Sequence, residues 1–166
     1  MPYSMPLEVY FDTAVLRGIL VTNQDRLSNH LTLREGEETF SLREATLEDG
    51  AGRVLAQRIT EYLVYMQHVS LIADLSPQLR QNRAEFEHLY VKKDAKRAVV
   101  GVGRYWLEGD VHLIPGSSMH ELLMARTRFL PITNAVFLDG NDNPARTFLL
   151  NRTMITCMSA PKSAQD

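Results

Sequence analysis

The sequence predicts a mainly β fold built from two tandem β-β-short α-β-β units, packed as a barrel or a sandwich and joined by an amphipathic helix. Three observations support this prediction. Apolar and polar residues alternate with the period of a β-strand over most of the chain. An ordered series of short motifs occurs twice, about ninety residues apart. Finally, 45% of the 166 residues are apolar, which is enough to form a hydrophobic core.

The repeated series comprises a glycine-led strand, a short helix and a strand ending in Ala-x-apolar-x-Asp-Gly. The first copy occupies residues 18–21, 26–31 and 40–50, and the second occupies residues 109–113, 118–123 and 130–140. Identical residues are found at Gly18/Gly109, Ala45/Ala135, Asp49/Asp139 and Gly50/Gly140. Because order and spacing are shared, we interpret the series as an internal duplication. Small β units bury little surface alone, so fusing two allows them to share one core or pack face to face.

The first unit begins with a predicted hairpin, in which residues 12–14 form the turn between strands 8–11 and 16–22. Asp25 can cap a short helix whose Leu27 and Leu31, four residues apart, point to the core. A strand follows over residues 39–47, with four inward side chains: Phe40, Leu42, Ala45 and Leu47. The turn signal at residues 49–52 precedes a predicted long strand over 61–72, which is apolar on both faces as a central or interface strand would be.

The second unit repeats this order. Strands over residues 99–107 and 110–114 are expected to flank Glu108-Gly109, and the two glycines at 101 and 103 indicate a bulge or a close backbone approach. A turn, a short helix, a strand, a loop and a closing strand follow, at residues 115–118, 119–123, 129–138, 140–144 and 147–158.

Between the units, Ser76 and Pro77 form a good helix start, and the apolar period predicts a helix over residues 77–92. The predicted boundaries are a first unit at 7–73, a helical linker at 74–97, a second unit at 98–158 and a disordered tail at 159–166.

The short helix, the second-unit strand and the closing strand resemble a bacterial domain of unknown function. That family's pattern runs Arg-Leu-Ser-Asp-x-Leu-Asn, then Phe-Leu-x-Leu-x-x-Ala, then a last strand with Val-Asn-Lys and Ile. The first copy is most similar at residues 26–31, and the second at 129–135 and 150–155. The resemblance covers about two thirds of the chain. It implies tandem copies of that domain and no known activity. Ser118 replaces the helix arginine in the second copy, and Met66-Gln67 replaces the asparagine-basic pair in the first.

A second resemblance is to the Sm-type RNA-binding barrel. It rests on Gly18-x-Leu20, Asp25 and residues 29–31, which are similar to the Gly, Asp and Asn along strands two and three of that barrel. The glycine-to-aspartate spacing differs by one residue, and the second copy lacks the Asp and Asn. The formal charge of −2 disfavours oligonucleotide binding.

Composition excludes several classes of protein. The single cysteine, Cys157, rules out an internal disulfide, and its apolar strand predicts a buried, inert thiol. The start of the chain does not match a secretory signal, and no segment has the ~20 apolar residues needed to span a bilayer. We therefore expect a cytoplasmic protein with no membrane span.

Candidate sites of chemistry are few. No histidine pair has metal-ligand spacing, and no nucleophile elbow or phosphate-binding glycine loop is present, so we predict no catalytic residue, metal or cofactor. The candidate interaction surface consists of Arg26, Asn29, His30, Arg126 and Arg128. An arginine fork there suits carboxylate or phosphate recognition, and pairing with the acidic residues at 35, 37 and 38 is the alternative.

These observations predict a non-enzymatic scaffold or protein-interaction module. Apolar edge strands invite pairing with a protein partner or with a second copy of the chain. The alternative is a small-barrel RNA- or nucleotide-binding protein, with a basic groove in which Arg80, Arg83, Lys92 and Lys93 lie near Arg26. An enzyme of unfamiliar type would require a deep pocket holding a group with a shifted pKa.

Overall fold

The computed structural model describes residues 2–33, 36–76, 93–139 and 144–159. The strands are β1 Tyr3–Tyr10, β2 Ala14–Thr22, β3 Thr39–Asp49, β4 Val54–Tyr65, β5 Leu71–Asp74, β6 Asp94–Val102, β7 Tyr105–Leu113, β8 Phe129–Phe137, β9 Arg146–Asn151 and β10 Ile155–Met158. The helices are α1 Leu27–Leu33 and α2 Met119–Leu123, and single turns of 3-10 helix cover Met66–His68 and Arg152–Met154. None of the described helices is long and apolar enough to cross a membrane.

The strands form one antiparallel sheet in the order β10-β6-β7-β8-β9-β5-β1-β2-β3-β4. The predicted mainly β fold is therefore confirmed. β1 begins at Tyr3 and β6 at Asp94, so the first strand starts before residue 7 and residues 94–97 belong to a strand. The predicted helix at 77–92 lies outside the described residues, as do residues 160–166 of the predicted tail.

The strand order is the same within the two halves of the sheet. In the first half, residues 2–76, it is β5-β1-β2-β3-β4, and in the second half, residues 93–159, it is β10-β6-β7-β8-β9. Gly18 pairs with Leu7 in the first hairpin, and Gly109 pairs with Ala98 in the second. The duplication that could have produced this order stays a prediction.

The first hairpin and helix form where the pattern predicted them. The Phe11 amide donates to the Ala14 carbonyl at 2.9 Å and closes the turn between β1 and β2. In α1, Leu27 and Leu31 are both buried, so the single apolar stripe of this short helix faces the core.

A bulge explains why the inward side chains of β3 change phase. Leu42 and Ala45 are both fully buried although they are three residues apart, which a regular strand of period two does not allow. Glu44 has a positive φ of 51°, and the pairing of β2 with β3 shifts between Arg17 and Ile19. Asn134 in β8 has the same conformation, with a φ of 49°. The extra residue turns the rest of each strand back toward the core.

The expectation that Glu108-Gly109 separates two strands is wrong. Both residues lie inside β7, and the turn from β6 to β7 is at Gly103, which has a φ of 56°. A Cβ at position 109 would be 2.7 Å from the Cβ of Ala135. Glycine at this position therefore allows β7 and β8 to approach this closely.

The predicted long strand over residues 61–72 is also wrong. The 3-10 turn Met66–His68 breaks it into the end of β4, at one edge of the sheet, and β5, at its centre. The closing strand of the second half is broken in the same way by Arg152–Met154. Each turn contains two adjacent polar residues, Gln67-His68 or Arg152-Thr153, but apolar residues lie on either side, so the apolar pattern alone does not reveal the change of direction.

The two halves contribute to each other's cores. The first-half core includes Phe129 and Leu149 from the second half, and the second-half core includes Tyr10, Leu71 and Ala73 from the first. Because β5 and β9 lie between the cores, their successive side chains enter opposite cores. The sheet is continuous across this joint, with Leu71, Ile72 and Ala73 opposite Leu150, Leu149 and Phe148.

Candidate interaction surface

Helix α1 places two of the predicted surface residues in solvent. Leu27 and Leu31 anchor the helix in the core, whereas Arg26 and Asn29 are exposed. The Asn29 side-chain amide donates to Asp25 Oδ1 at 3.2 Å, which holds it along the first turn of the helix. Both side chains are therefore accessible, but their role in binding stays a prediction.

His30 does not belong to this surface. Its side chain is only 5% exposed, and its Nδ1 is 2.7 Å from Thr22 Oγ1. Thr22 also accepts a hydrogen bond from the Gln24 amide at 3.1 Å, so the imidazole helps to fix the connection from β2 to α1. The burial of His30 could not be predicted from its position beside Leu31, because a helix of seven residues is too short to define a polar face.

Arg128 lies near α1 across a small hollow. The hollow has a volume of about 30 Å³ and is lined by Ser28, Leu31, Met66, Thr127, Arg128, Phe129 and Leu149. This volume is close to that of one water molecule and far below the ~300 Å³ of a small-molecule pocket. The hollow is therefore a seam between the two halves and too small to hold a nucleotide.

The segment before β8 is fixed by Arg152. Its Nε donates to the Thr127 carbonyl at 2.9 Å, and its backbone amide donates to the Arg128 carbonyl at 2.8 Å. Arg126 is exposed and does not line the hollow. The structure thus brings Arg128 to α1, while Arg126 lies on the loop that leads to it.

A buried carboxylate connects the two halves near the centre of the sheet. Glu8 is 6% exposed and accepts hydrogen bonds from Tyr10 Oη at 2.6 Å and Arg146 Nη1 at 3.1 Å. The Nε of Arg17, which also contacts Glu48, lies 3.7 Å from Glu8 Oε1. Burial raises the pKa of Tyr10, and its hydrogen bond to Glu8 raises it further. The phenol donates its hydrogen bond to this buried carboxylate, so we assign the set to stability.

The described residues contain no candidate metal site, since no group of three or more His, Cys, Asp or Glu side chains could hold an ion there. Cys157 is exposed, which corrects the prediction of a buried thiol. It is exposed because β10 is the outermost strand at one end of the sheet. Its thiol accepts a hydrogen bond from the neighbouring Thr156 hydroxyl at 3.9 Å, and a hydroxyl is not a base that could activate it.

The basic groove required for RNA binding falls mainly on residues that are not described. Arg80, Arg83 and Lys92 lie in the range 77–92, and Lys93 is exposed just before β6. Nucleic-acid binding therefore stays a prediction.

The outer edge of β4 is the most distinctive exposed surface of the described residues. This strand is the last of the sheet and pairs only with β3 among the described strands. Four large apolar side chains on it are at least half exposed: Val54 51%, Leu55 58%, Leu63 62% and Tyr65 53%. The sequence signalled this surface through apolar residues on both faces of 61–65, but periodicity could not distinguish an edge strand from a central one.

Comparison with known proteins found no match, either to a protein-family model, to a curated protein or to a solved structure.

Proposed function

We propose that this protein is a non-enzymatic scaffold that binds an extended segment of a partner protein along the outer edge of β4. One observation carries the proposal: a strand of 12 residues ends the sheet and keeps large apolar side chains in solvent. An edge strand offers a row of backbone N–H and C=O groups, and an added strand completes their hydrogen bonds.

β4 has few of the features that normally protect an edge. It contains neither lysine nor proline, the two residues most often used to block strand addition. Arg58 has a φ of 57° and marks an irregularity in its first half. From Glu61 to Tyr65 the pairing with β3 is regular, so this part is the template for an added strand.

The apolar side chains favour a protein over a nucleic acid as the partner. Leu63 and Tyr65 alternate with the buried Val64, so they lie together on the face of β4 away from the first-half core. A peptide strand can cover such a pair with its own alternate side chains, which supplies specificity along with the backbone bonds.

The test is capture from a lysate of the native host with the tagged chain as bait, followed by mass spectrometry. Three baits are compared: the wild type, Leu63→Lys and Met124→Lys. Leu63→Lys places a charge on the edge, whereas Met124, 68% exposed at the end of α2, is a matched apolar position away from it.

We expect partners that the wild type and Met124→Lys retain and Leu63→Lys loses. The untagged chain itself counts as such a partner. Amide hydrogen exchange should then show slower exchange in β4 when the recovered partner is added back. An identical set of proteins with all three baits, or no recovered protein, would contradict the proposal.

A further inference from the structure

The joint between the halves shows how this sheet accepts an added strand. β9 ends the strand order of the second half and β5 begins that of the first, and these two strands pair with each other. By position in its own half, β4 corresponds to β9 and β10 corresponds to β5. β4 and β10 are the two end strands of the sheet. Their counterparts β9 and β5 pair with each other at the internal joint, but β4 and β10 have no such partner among the described strands.

The correspondence extends to single residues. Each 3-10 turn is entered by an extended residue, Tyr65 at φ −80° and ψ 113° or Asn151 at φ −68° and ψ 110°. Each turn is also fastened by its first amide to the residue before a strand: Met66 to the Glu38 carbonyl at 2.9 Å, and Arg152 to the Arg128 carbonyl at 2.8 Å. This alignment places Leu63 at the position of Leu149, and Cys157 at that of Leu71.

The corresponding residues of the two halves differ in exposure, as expected if β4 and β10 each lack the strand that pairs at the internal joint. Leu149 is 5% exposed inside the first-half core, whereas Leu63 is 62% exposed. Leu71 is fully buried, whereas Cys157 is exposed. Each buried residue lies in a strand that pairs across the joint, and its side chain belongs to the core of the other half. The exposed counterparts lie on the two edges where the described residues supply no such strand.

We propose that copies of this chain assemble head to tail, with β4 of one copy pairing antiparallel with β10 of the next. This inference rests on the proposed role of the β4 edge and names a second copy as its occupant. The internal joint sets the register: Tyr62 opposite Ser159, Leu63 opposite Met158 and Val64 opposite Cys157. Leu63 then packs against the second-half core of the next copy, to which Met158 already contributes.

The external joint is weaker than the internal one. Asn151 donates its side-chain amide to the Val69 carbonyl at 2.8 Å, and its backbone amide donates to the Ser70 carbonyl at 2.9 Å. Tyr65 stands at the corresponding position and has a backbone amide but no side-chain amide to donate. Assembly through β4 and β10 is therefore reversible and depends on concentration. Because the contact is head to tail, it produces a closed ring or an open chain of copies.

Sedimentation velocity of the purified chain over a range of concentrations tests the assembly. We expect species larger than the monomer that increase with concentration, and a weakening of at least about tenfold in Leu63→Lys, since a lysine would be buried without a partner. Leu55→Lys is the matched control on the same strand, because Leu55 is 58% exposed but lies outside the proposed register. A monomeric wild type, or equal loss in both variants, would overturn the proposal.

Disulfide trapping tests the register and the direction. Two single-cysteine chains are made in a Cys157→Ser background, one with Leu63→Cys and the other with Met158→Cys, and are oxidised separately and as a mixture. Directly opposite residues of an antiparallel pair have Cβ atoms roughly 4.5–5.5 Å apart, close enough for a disulfide after small shifts. We expect a cross-linked dimer in the mixture alone. Cross-linking of Leu63→Cys with itself would show β4 pairing with β4, and no product in the mixture would refute the register.

The two proposals fail separately. If the purified chain is monomeric but a different protein is captured in a way that depends on Leu63, self-pairing is refuted and the scaffold stands. If neither self-assembly nor capture depends on Leu63, both proposals are refuted.

Discussion

The carboxylate of Glu8 in β1 and the guanidinium of Arg146 in β9 are joined by a hydrogen bond of 3.1 Å across the two halves of the chain. The Glu8 side chain is 8% exposed and that of Arg146 26%. Removing a carboxylate from water costs free energy unless a positive charge lies nearby, and Arg146 is closer to Glu8 than Arg17 is.

Arg146→Met should destabilise the fold by about 3 kcal/mol, because it leaves a buried carboxylate with the more distant Arg17 as its remaining cation. The midpoint of urea unfolding measures the loss. Arg53→Met is the control, since Arg53 is 82% exposed in its pair with Asp49 and should leave the midpoint nearly unchanged. Equal effects of the two substitutions would show that the Glu8 pair is not buried in solution.

Stability should fall at alkaline pH because of Tyr10. Burial and the hydrogen bond to Glu8 raise the pKa of Tyr10 in the folded chain, so the phenol ionises more readily once the chain unfolds. Its contribution is complete below the ordinary tyrosine pKa of about 10 and is lost as pH rises above that value. Tyr10→Phe should therefore flatten the decline in the urea midpoint between neutral pH and about pH 11. The exposed Tyr65→Phe should decline as the wild type does, and a similar flattening in both would rule out Tyr10 as the cause.

Asn151→Ala should loosen the joint between the halves. The buried side-chain amide donates to the carbonyls of Met66 and Val69, and its oxygen accepts from the Thr153 amide and hydroxyl. Losing these bonds should cost about 2–4 kcal/mol in thermal or chemical unfolding. Asn29→Ala, at an exposed amide on α1, is the matched control and should change little. A mild effect at Asn151 would mean that the joint does not depend on its amide.

Alanine should be tolerated less well at Gly109 than at Gly18. A Cβ at Gly109 would be 2.7 Å from both Ala135 Cβ and Ile132 Cγ1, whereas at Gly18 the nearest atoms are 3.1 Å away. Gly109→Ala should destabilise by about 1–3 kcal/mol, and Gly18→Ala by less. A Cβ at Gly36 would meet no atom of the described residues within 4 Å, so Gly36→Ala controls for the change of residue type. Thermal unfolding of the three variants gives the order, and the reverse order would refute this account of the β7–β8 contact.

Local signals predicted the local elements well. The first hairpin, α1 and the buried positions Phe40, Leu42 and Ala45 follow from short-range patterns of apolar residues, whereas the bulge between Leu42 and Ala45 was not predicted. The interrupted strands could not be predicted in this way. Leu71, Ile72 and Ala73 are apolar because each face of β5 meets a different core, and Leu63 is apolar although it is exposed. Both situations place apolar residues on both faces of the chain, so periodicity predicted a single strand over residues 61–72.

The predicted interaction residues illustrate the same difficulty. Arg26 and Asn29 are exposed as their polarity suggested, but His30 is buried because Thr22 supplies a partner from β2. Arg128 lies near α1 because it directly precedes β8, whose first residue, Phe129, also lines the hollow beside the helix. These placements depend on strand order, which a single sequence does not reveal.

The pairing of β5 with β9 has a consequence for synthesis. β5 is complete when the ribosome has reached Asp74, but its partner β9 begins only at Arg146. At ordinary rates of translation the interval is on the order of ten seconds. During that time the nascent first half carries an uncovered apolar strand. Neighbouring ribosomes on one messenger RNA would bring such chains together. The misassembly expected of this topology is therefore an exchange of second halves, in which β5 of one nascent chain pairs with β9 of another.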